Sequence, residues 1–346
     1  MRILHLLSSN KLSGAENVAS DICMMFSNEY DMVYCCPEGP IRNALKDRDV
    51  CFFPLKSFCK DDIANAIKIL NPDIIHSHDA KATVFSALVS SKIPIISHLH
   101  GNDVKMKRPG LKALLFLLAS QRVKKIITVS ESCLADYFFK KQIQTKTVFI
   151  RNIVYRNRIE KLLKSDCNAY DFDFIFVGRL CYPKNPKKVA AVASIVLNQC
   201  PKATFGVIGD GELRSKMKEV FVKEGVIERV TFTGVLSYPY KTIQNSKCLL
   251  MCSRFEGTPI VALEAMALGV PIVSTPVDGV VDIVSDGETG FLSDDIDELA
   301  MNVKSIVSKN SFHEKLSKAS FEKFEKINDY DGYFTNFRNT YNSIRR

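Results

Sequence analysis

The sequence predicts an α/β chain built around two parallel sheets, and three observations carry that prediction. Short apolar runs alternate with helical patterns along the whole length, which is how βαβ units read in sequence. At 346 residues the chain is long enough for about two domains of ordinary size. A polar stretch without strand pattern, Arg151 to Asp171, divides the runs into two groups.

In the front group the expected strands are Ile3 to Leu7, Met32 to Cys36, Ile74 to His76, Ile93 to His98, Lys125 to Val129 and Thr147 to Ile150. In the back group they are Asp173 to Val177, Thr204 to Ile208, Val230 to Thr233, Cys248 to Met251, Pro271 to Ser274 and Gly290 to Leu292. The expected domains are 1–165 and 166–328, followed by a packing helix over 329–346 that is free to return to the first domain. That last stretch carries Tyr330, Tyr333, Phe334, Phe337 and Tyr341 near helical spacing. No period of 20 to 50 residues occurs, so solenoids are excluded.

Composition narrows the classes further. With 46% hydrophobic and 25% charged residues the chain is neither disordered nor low-complexity. No apolar stretch reaches the roughly 18 to 20 residues of a spanning helix, and no signal-peptide pattern follows Met1, so a cytoplasmic location is expected. The 11 Cys are scattered with no C-x-x-C pair and read as reduced, mostly buried thiols.

The charge is uneven. Residues 1–165 hold 25 Lys and Arg against 15 Asp and Glu, a net of +10, whereas residues 166–346 hold 22 against 23, a net of −1. The excess peaks where Lys105, Lys107, Arg108, Lys112, Arg122, Lys124 and Lys125 flank the run Leu114 to Leu118. That stretch reads equally as a face resting on anionic lipid, peripheral on the inner side of the cytoplasmic membrane, or as a core helix with a solvated basic rim. Nucleic acid is not an expected partner, because Trp is absent and aromatics do not alternate with the cations.

The clearest site-like segment runs from Ser253 to Pro271. Thr258 suits an N-cap and Pro259 the first helical position, while Gly269 and Pro271 end the helix. Its N-terminus follows the Cys248 to Met251 strand, placing free N–H groups at the carboxyl edge of a parallel sheet, where an anion such as phosphate binds. Glu256 and Glu264 flank that position. Acids do not ligate phosphate, so these two face sugar or ribose hydroxyls; the plainer alternative makes them a turn residue and a helix-surface acid. Arg179, directly after the Asp173 to Val177 strand, and Lys184 in the next loop supply the cations that a diphosphate leaving group needs.

In the front half, Ser13 and Glu16 have capping-box spacing beside Gly14, and capping alone accounts for both. Four His occur as His76-Ser77-His78 and His98-Leu99-His100. A zinc site of these four lacks a familiar spacing. His100 at a strand end is expected to reach the site, and His76, His78 and His98 to be satisfied edge or core residues. Gly209-Asp210-Gly211 is not a dinucleotide loop, since Arg214 stands where the third Gly belongs. The D-x-D triplets at Asp171 and Asp329 are not placed to hold a metal.

Together, Ser13 to Glu16, His98 to Gly101, Thr128 to Ser130, Val177 to Leu180 with Lys184, Gly209 to Gly211, Glu256 and Glu264 with Gly269 to Val273, and Gly287 with Gly290-Phe291 resemble the retaining GT-B glycosyltransferases of family 4. The resemblance covers nearly the whole chain. It implies two Rossmann-like domains facing across a cleft, a nucleotide-sugar donor on the second, an acceptor on the first, no cofactor and no required metal. By the same resemblance Arg179 and Lys184 would bind the donor diphosphate, Glu264 the ribose diol and Glu256 a sugar hydroxyl. Backbone N–H groups of Gly257, Thr258, Pro259's neighbours and Ile260 would support phosphate and sugar, Gly14 would approach from the first domain, and His100 would touch the transferred sugar. Two departures stand out: the front loop has one Gly where many relatives have two, and Asn152-Ile153 replaces Asn-Gly. The implied activity is sugar transfer from a nucleoside diphosphate donor to a glycan or lipid-linked acceptor in capsule, exopolysaccharide or O-antigen assembly. A GT-B sugar-nucleotide 2-epimerase and a non-catalytic nucleotide-sugar-binding protein are the alternatives.

Overall fold

A computed structural model describes residues 1–90, 92–101, 103–166 and 170–344. The chain forms two compact units, one of residues 1–155 with 330–346 and one of residues 156–329.

The first unit holds seven strands: β1 (Arg2–Leu6), β2 (Asp31–Pro37), β3 (Phe52–Leu55), β4 (Ile74–Ser77), β5 (Ile95–Leu99), β6 (Val123–Thr128) and β7 (Thr147–Phe149). They line up in the order β3-β2-β1-β4-β5-β6-β7, every neighbouring pair parallel. Strands of this kind are covered by helices on both faces and therefore read as continuous apolar runs, as Ile74-Ile75 and Ile95-Ile96 do. The strand absent from the sequence reading is β3. It is a four-residue edge strand with Pro54 in its middle, a residue that interrupts a ladder anywhere but at an edge.

The second unit repeats the plan with β8 (Phe174–Val177), β9 (Phe205–Ile208), β10 (Val230–Gly234), β11 (Cys248–Met251), β12 (Ile272–Ser274) and β13 (Gly290–Leu292). Their order is β10-β9-β8-β11-β12-β13, again all parallel. In each sheet the order reverses between the first strand and the fourth, at β1/β4 and at β8/β11. Such a switch point opens a crevice at the strands' carboxyl ends. Phe174, Phe176, Val189, Val196, Phe205 and Leu250 form the centre of this unit's core.

One segment falls elsewhere than the sequence reading placed it. Helix Arg156–Ser165 lies in the second unit, where it buries Arg158, Ile159 and Leu162. Helix Tyr330–Ile344 packs on the first unit. Its Phe334 stacks on Phe26 at 4.3 Å between ring centroids, Tyr341 donates to His76 Nδ1 or accepts from it at 2.9 Å, and Arg338 pairs with Glu29.

Candidate active site

The loops that follow β8 and β11 lie side by side, because those strands pair in register through Cys248 with Phe174 and Leu249 with Ile175. Cross-links tie them together. Arg254 N–H donates to Pro183 O at 2.8 Å, its guanidinium donates to Asn185 Oδ1 at 3.0 Å, and it lies 4.6 Å above the Tyr182 ring centre. Within this frame Lys184 Nζ meets Glu256 Oε1 at 2.5 Å, and Ser253 Oγ donates to the same oxygen at 2.6 Å. The two charged side chains are 21% and 10% exposed, so the pair is partly shielded from solvent. Arg179, five residues before Lys184, is exposed and makes no side-chain hydrogen bond or ion pair among the described residues. An exposed guanidinium five residues before a paired ammonium can join it in taking a multiply charged oxyanion.

Close backbone approach shapes both walls. Leu180 N–H donates to Asp210 O at 3.0 Å, and Leu213 N–H returns to Leu180 O at 2.9 Å. Gly209, at φ 131°, sits so near Gly178 that a Cβ there would lie 2.0 Å from its carbonyl oxygen. Gly279, at φ 73°, meets Gly257 the same way, with a Cβ 1.4 Å from Gly257 O. The Gly209 loop thus serves this site as a backbone brace.

Helix Ile260–Ala267 begins one residue later than expected: the cap position is Pro259 and not Thr258. The extended Pro259 backbone, ψ 109°, is the geometry of a cap, and its carbonyl accepts from Ala262 and Leu263 N–H. Gly257, Thr258, Pro259 and Ile260 are all buried. Glu264 is 4% exposed, which removes the helix-surface reading. Its Oε1 accepts from the fully buried Arg158 at 3.0 Å and from Tyr240 OH at 3.3 Å, and Arg158 also reaches the Tyr240 hydroxyl. Arg158 and Tyr240 escape sequence reasoning, since the first sits in a stretch that reads as linker and neither carries a local motif.

In the first unit, Gly14 opens helix Gly14–Met25 after the β1 loop and is exposed. Ser13 holds the N-cap position, yet its hydroxyl donates to the Glu16 carboxylate and makes no capping bond. His100 follows β5, partly exposed, with Nε2 2.9 Å from His78 Nδ1. His5 of β1, missed in the sequence, extends this row: its Nδ1 is 2.8 Å from His78 Nε2. The expectation that His76, His78 and His98 are satisfied fails for two of them. His98 has neither nitrogen bonded, and His76 is engaged only at Nδ1, by the Tyr341 hydroxyl, with no partner at Nε2. Burial pushes the His5 and His100 imidazoles down to about 3 and holds the other three well below the ordinary value. The basic segment is also less naked than expected, since Lys112 pairs with Asp103 and Lys107 with Asp136.

Among the described residues no helix is long and apolar enough to cross a membrane. Residues 144–323 match the family described as Glycosyl transferases group 1, and residues 12–158 match Glycosyltransferase Family 4. An uncharacterized glycosyltransferase of Methanocaldococcus jannaschii, MJ1059, is 25% identical over 254 residues, 66% of this chain and 62% of that protein. The chain thus spans less than two thirds of that relative. The UDP-Gal:alpha-D-GlcNAc-diphosphoundecaprenol alpha-1,3-galactosyltransferase of Escherichia coli is 25% identical over 329 residues, 84% of each chain. Among solved structures, Anabaena Alr3699/HepE in complex with UDP-glucose superposes with a TM-score of 0.81 over 99% of this chain and 100% of its own, at 19% identity. Likeness at that identity shows the fold, two Rossmann-like α/β domains of the GT-B type. Since one family match alone covers more than half of the residues, the chain belongs to the glycosyl transferases group 1 family, the GT-B glycosyltransferases of family 4.

Proposed function

We propose that the chain is a retaining hexosyltransferase that moves a sugar from a nucleoside diphosphate donor to a hydroxyl of a lipid-linked glycan, in assembly of a capsule, exopolysaccharide or O-antigen. The observation that carries this is the Lys184–Glu256 pair at the β8/β11 switch point with Arg179 uncommitted beside it. Lys184 exchanges its one carboxylate for the donor's diphosphate, which carries more charge, and Arg179 joins it. Glu256, released, accepts from a sugar hydroxyl, and the backbone N–H groups at Gly257, Thr258 and Ile260, around Pro259, face the developing negative charge. Glu264, held by Arg158 and Tyr240, takes the ribose diol.

As the anomeric C–O bond breaks, the electron pair leaves with the diphosphate. The acceptor oxygen bonds to the same face of that carbon and passes its proton to the departing phosphate oxygen. No metal or cofactor takes part in this scheme, because the cations are supplied by side chains. In the first unit, Gly14 and His100 keep the donor and sugar roles that the family resemblance implies. The relatives named above support a uridine donor and a diphosphoundecaprenol-linked acceptor as the first to test.

The same unit supplies a membrane face. Helix Leu111–Ser120 turns Leu111, Leu114, Leu115 and Leu118 to solvent, with Leu111 74% exposed, and Lys105, Arg108 and Lys124 are exposed around it. That is the make-up of a surface that rests on anionic lipid.

A thermal-shift screen of nucleotide sugars followed by transfer assays tests the reading. One donor at 100 times its dissociation constant stabilises the chain by about 2.7 kcal/mol. Free nucleotide should then appear only with a glycan acceptor, and the anomeric coupling of the product should match that of the donor. An inverted product, or turnover of the donor without acceptor, would overturn it.

A further inference from the structure

Sugar transfer calls on His100 at most among the five imidazoles of the first unit, and it leaves their clustering unexplained. They come from three adjacent strands, β1, β4 and β5, and crowd together: His98 and His100 ring centres are 4.0 Å apart, His76 and His78 4.2 Å, and His5 and His78 5.1 Å. Buried side-chain nitrogens are ordinarily bonded, and leaving one without a partner is costly. Here His98 Nδ1 and Nε2, His100 Nδ1, His5 Nε2 and His76 Nε2 all lack a partner.

The protonation count sharpens the oddity. In the row His5–His78–His100 three neutral rings carry three protons for two hydrogen bonds, so a lone pair or an N–H is left over at each end. His98 adds one of each. Among the described residues these end nitrogens and both nitrogens of His98 have no hydrogen-bond partner.

A cation can engage such lone pairs. We propose that His78, His98 and His100 form a binding site for one divalent transition-metal ion of the Zn2+ class, with His5 holding His78 from behind. One ring nitrogen from each of the three lies within 4.8 Å of the others. His78 Nδ1 and His100 Nε2 already face each other at 2.9 Å, and opening to about 3.3 Å would seat an ion with metal–nitrogen bonds of about 2.0–2.1 Å between them. His5 Nδ1 on His78 Nε2 is the outer contact that fixes which nitrogen a ligand histidine presents.

The all-imidazole donor set chooses the metal. Mg2+ and Ca2+ take oxygen ligands, whereas neutral imidazole suits Zn2+, Cu2+ and Ni2+. Burial keeps all three rings neutral in the neutral range, so no proton need be displaced on binding. His100, partly exposed at the strand end, gives the ion an entrance and leaves a fourth position for solvent. The site lies outside the Lys184–Glu256 group, and its role is to stiffen the centre of the sheet at β1, β4 and β5.

The test uses the purified full chain, stripped with chelator and reloaded with Zn2+ or Co2+. We expect one Zn2+ retained per chain on desalting, and a Co2+ form with the intense visible absorption of four-coordinate nitrogen ligation and no thiolate charge-transfer band. H98F, which preserves ring volume, and H100N should each abolish stoichiometric binding, and H5F should weaken it by about tenfold. Absence of stoichiometric Zn2+, undiminished binding by H98F and H100N, or a thiolate band pointing to the cysteines would each overturn the site. So would loss of binding in His76→Phe with H98F unaffected, which would move the ion to the His5–His76–His78 group. If H98F does not fold, the Co2+ spectrum of the unaltered chain still decides.

Discussion

Lys184 and Glu256 neutralise one another at 10–21% exposure, so either can be removed without stranding a charge in the deep interior. Lys184→Met should therefore melt close to the parent, Glu256 keeping its Ser253 bond, while kcat falls about 10²–10³-fold through loss of a charge facing the leaving group. Steady-state kinetics with the donor found in the screen check this, and a kcat within threefold of the parent would refute the role of Lys184. Arg158 is the opposite case. Its side chain is 0% exposed against 6% for Glu264, and Arg158→Met takes the guanidinium away from a buried carboxylate that retains the Tyr240 hydroxyl, at a cost of about 3 kcal/mol. Urea denaturation should show that loss, and the double variant Arg158→Met with Glu264→Leu should recover part of it. The spacing of Glu256 and Glu264 was legible in the sequence because both belong to one strand–loop–helix unit. Arg158 was not, for its partner is 106 residues away and no local pattern announces a pair formed by tertiary packing.

At the level of elements, the parallel strands were readable because burial on both faces leaves uninterrupted apolar runs, and β3 was not because Pro54 breaks its run. The start of helix Ile260–Ala267 shifted by one residue, since Pro is tolerated both as first helical residue and just before it. What no pattern could reveal is how loops from different strands press together. Gly279 has φ 73° and no room for a Cβ beside Gly257 O, so Gly279→Ala must displace the donor loop. A shift of about 1 Å there should lower kcat/KM about a hundredfold, and an unchanged value would show that the loop position does not matter. For helix Leu111–Ser120, flotation with vesicles containing phosphatidylglycerol at low salt should carry the chain upward. Leu111→Asp with Leu118→Asp should abolish this, and equal flotation of the double variant would remove the membrane face.

Across the whole molecule, the histidine cluster sets the response to acid in the metal-free chain. Unfolded imidazoles take up protons near pH 6.5, whereas His5 and His100 in the fold do so near 3 and His76, His78 and His98 well below the ordinary value. The unfolded chain therefore binds more protons throughout that interval. Stability is complete above about pH 6.5 and is lost progressively as the pH falls below it toward 3, because each proton taken up by an unfolded imidazole favours the unfolded chain. Urea midpoints between pH 7.5 and 5 should fall steeply, and a flat profile would mean the imidazoles are not buried neutral. One more property follows from the path of the backbone. Tyr333, Phe337 and Tyr341 from the far end are buried against residues near the start, and all of 156–329 lies between. A ribosome must therefore emit the entire second half before the first can close, and until then the nascent front half keeps its Phe26 and His76 face open to whatever attends it in the cell.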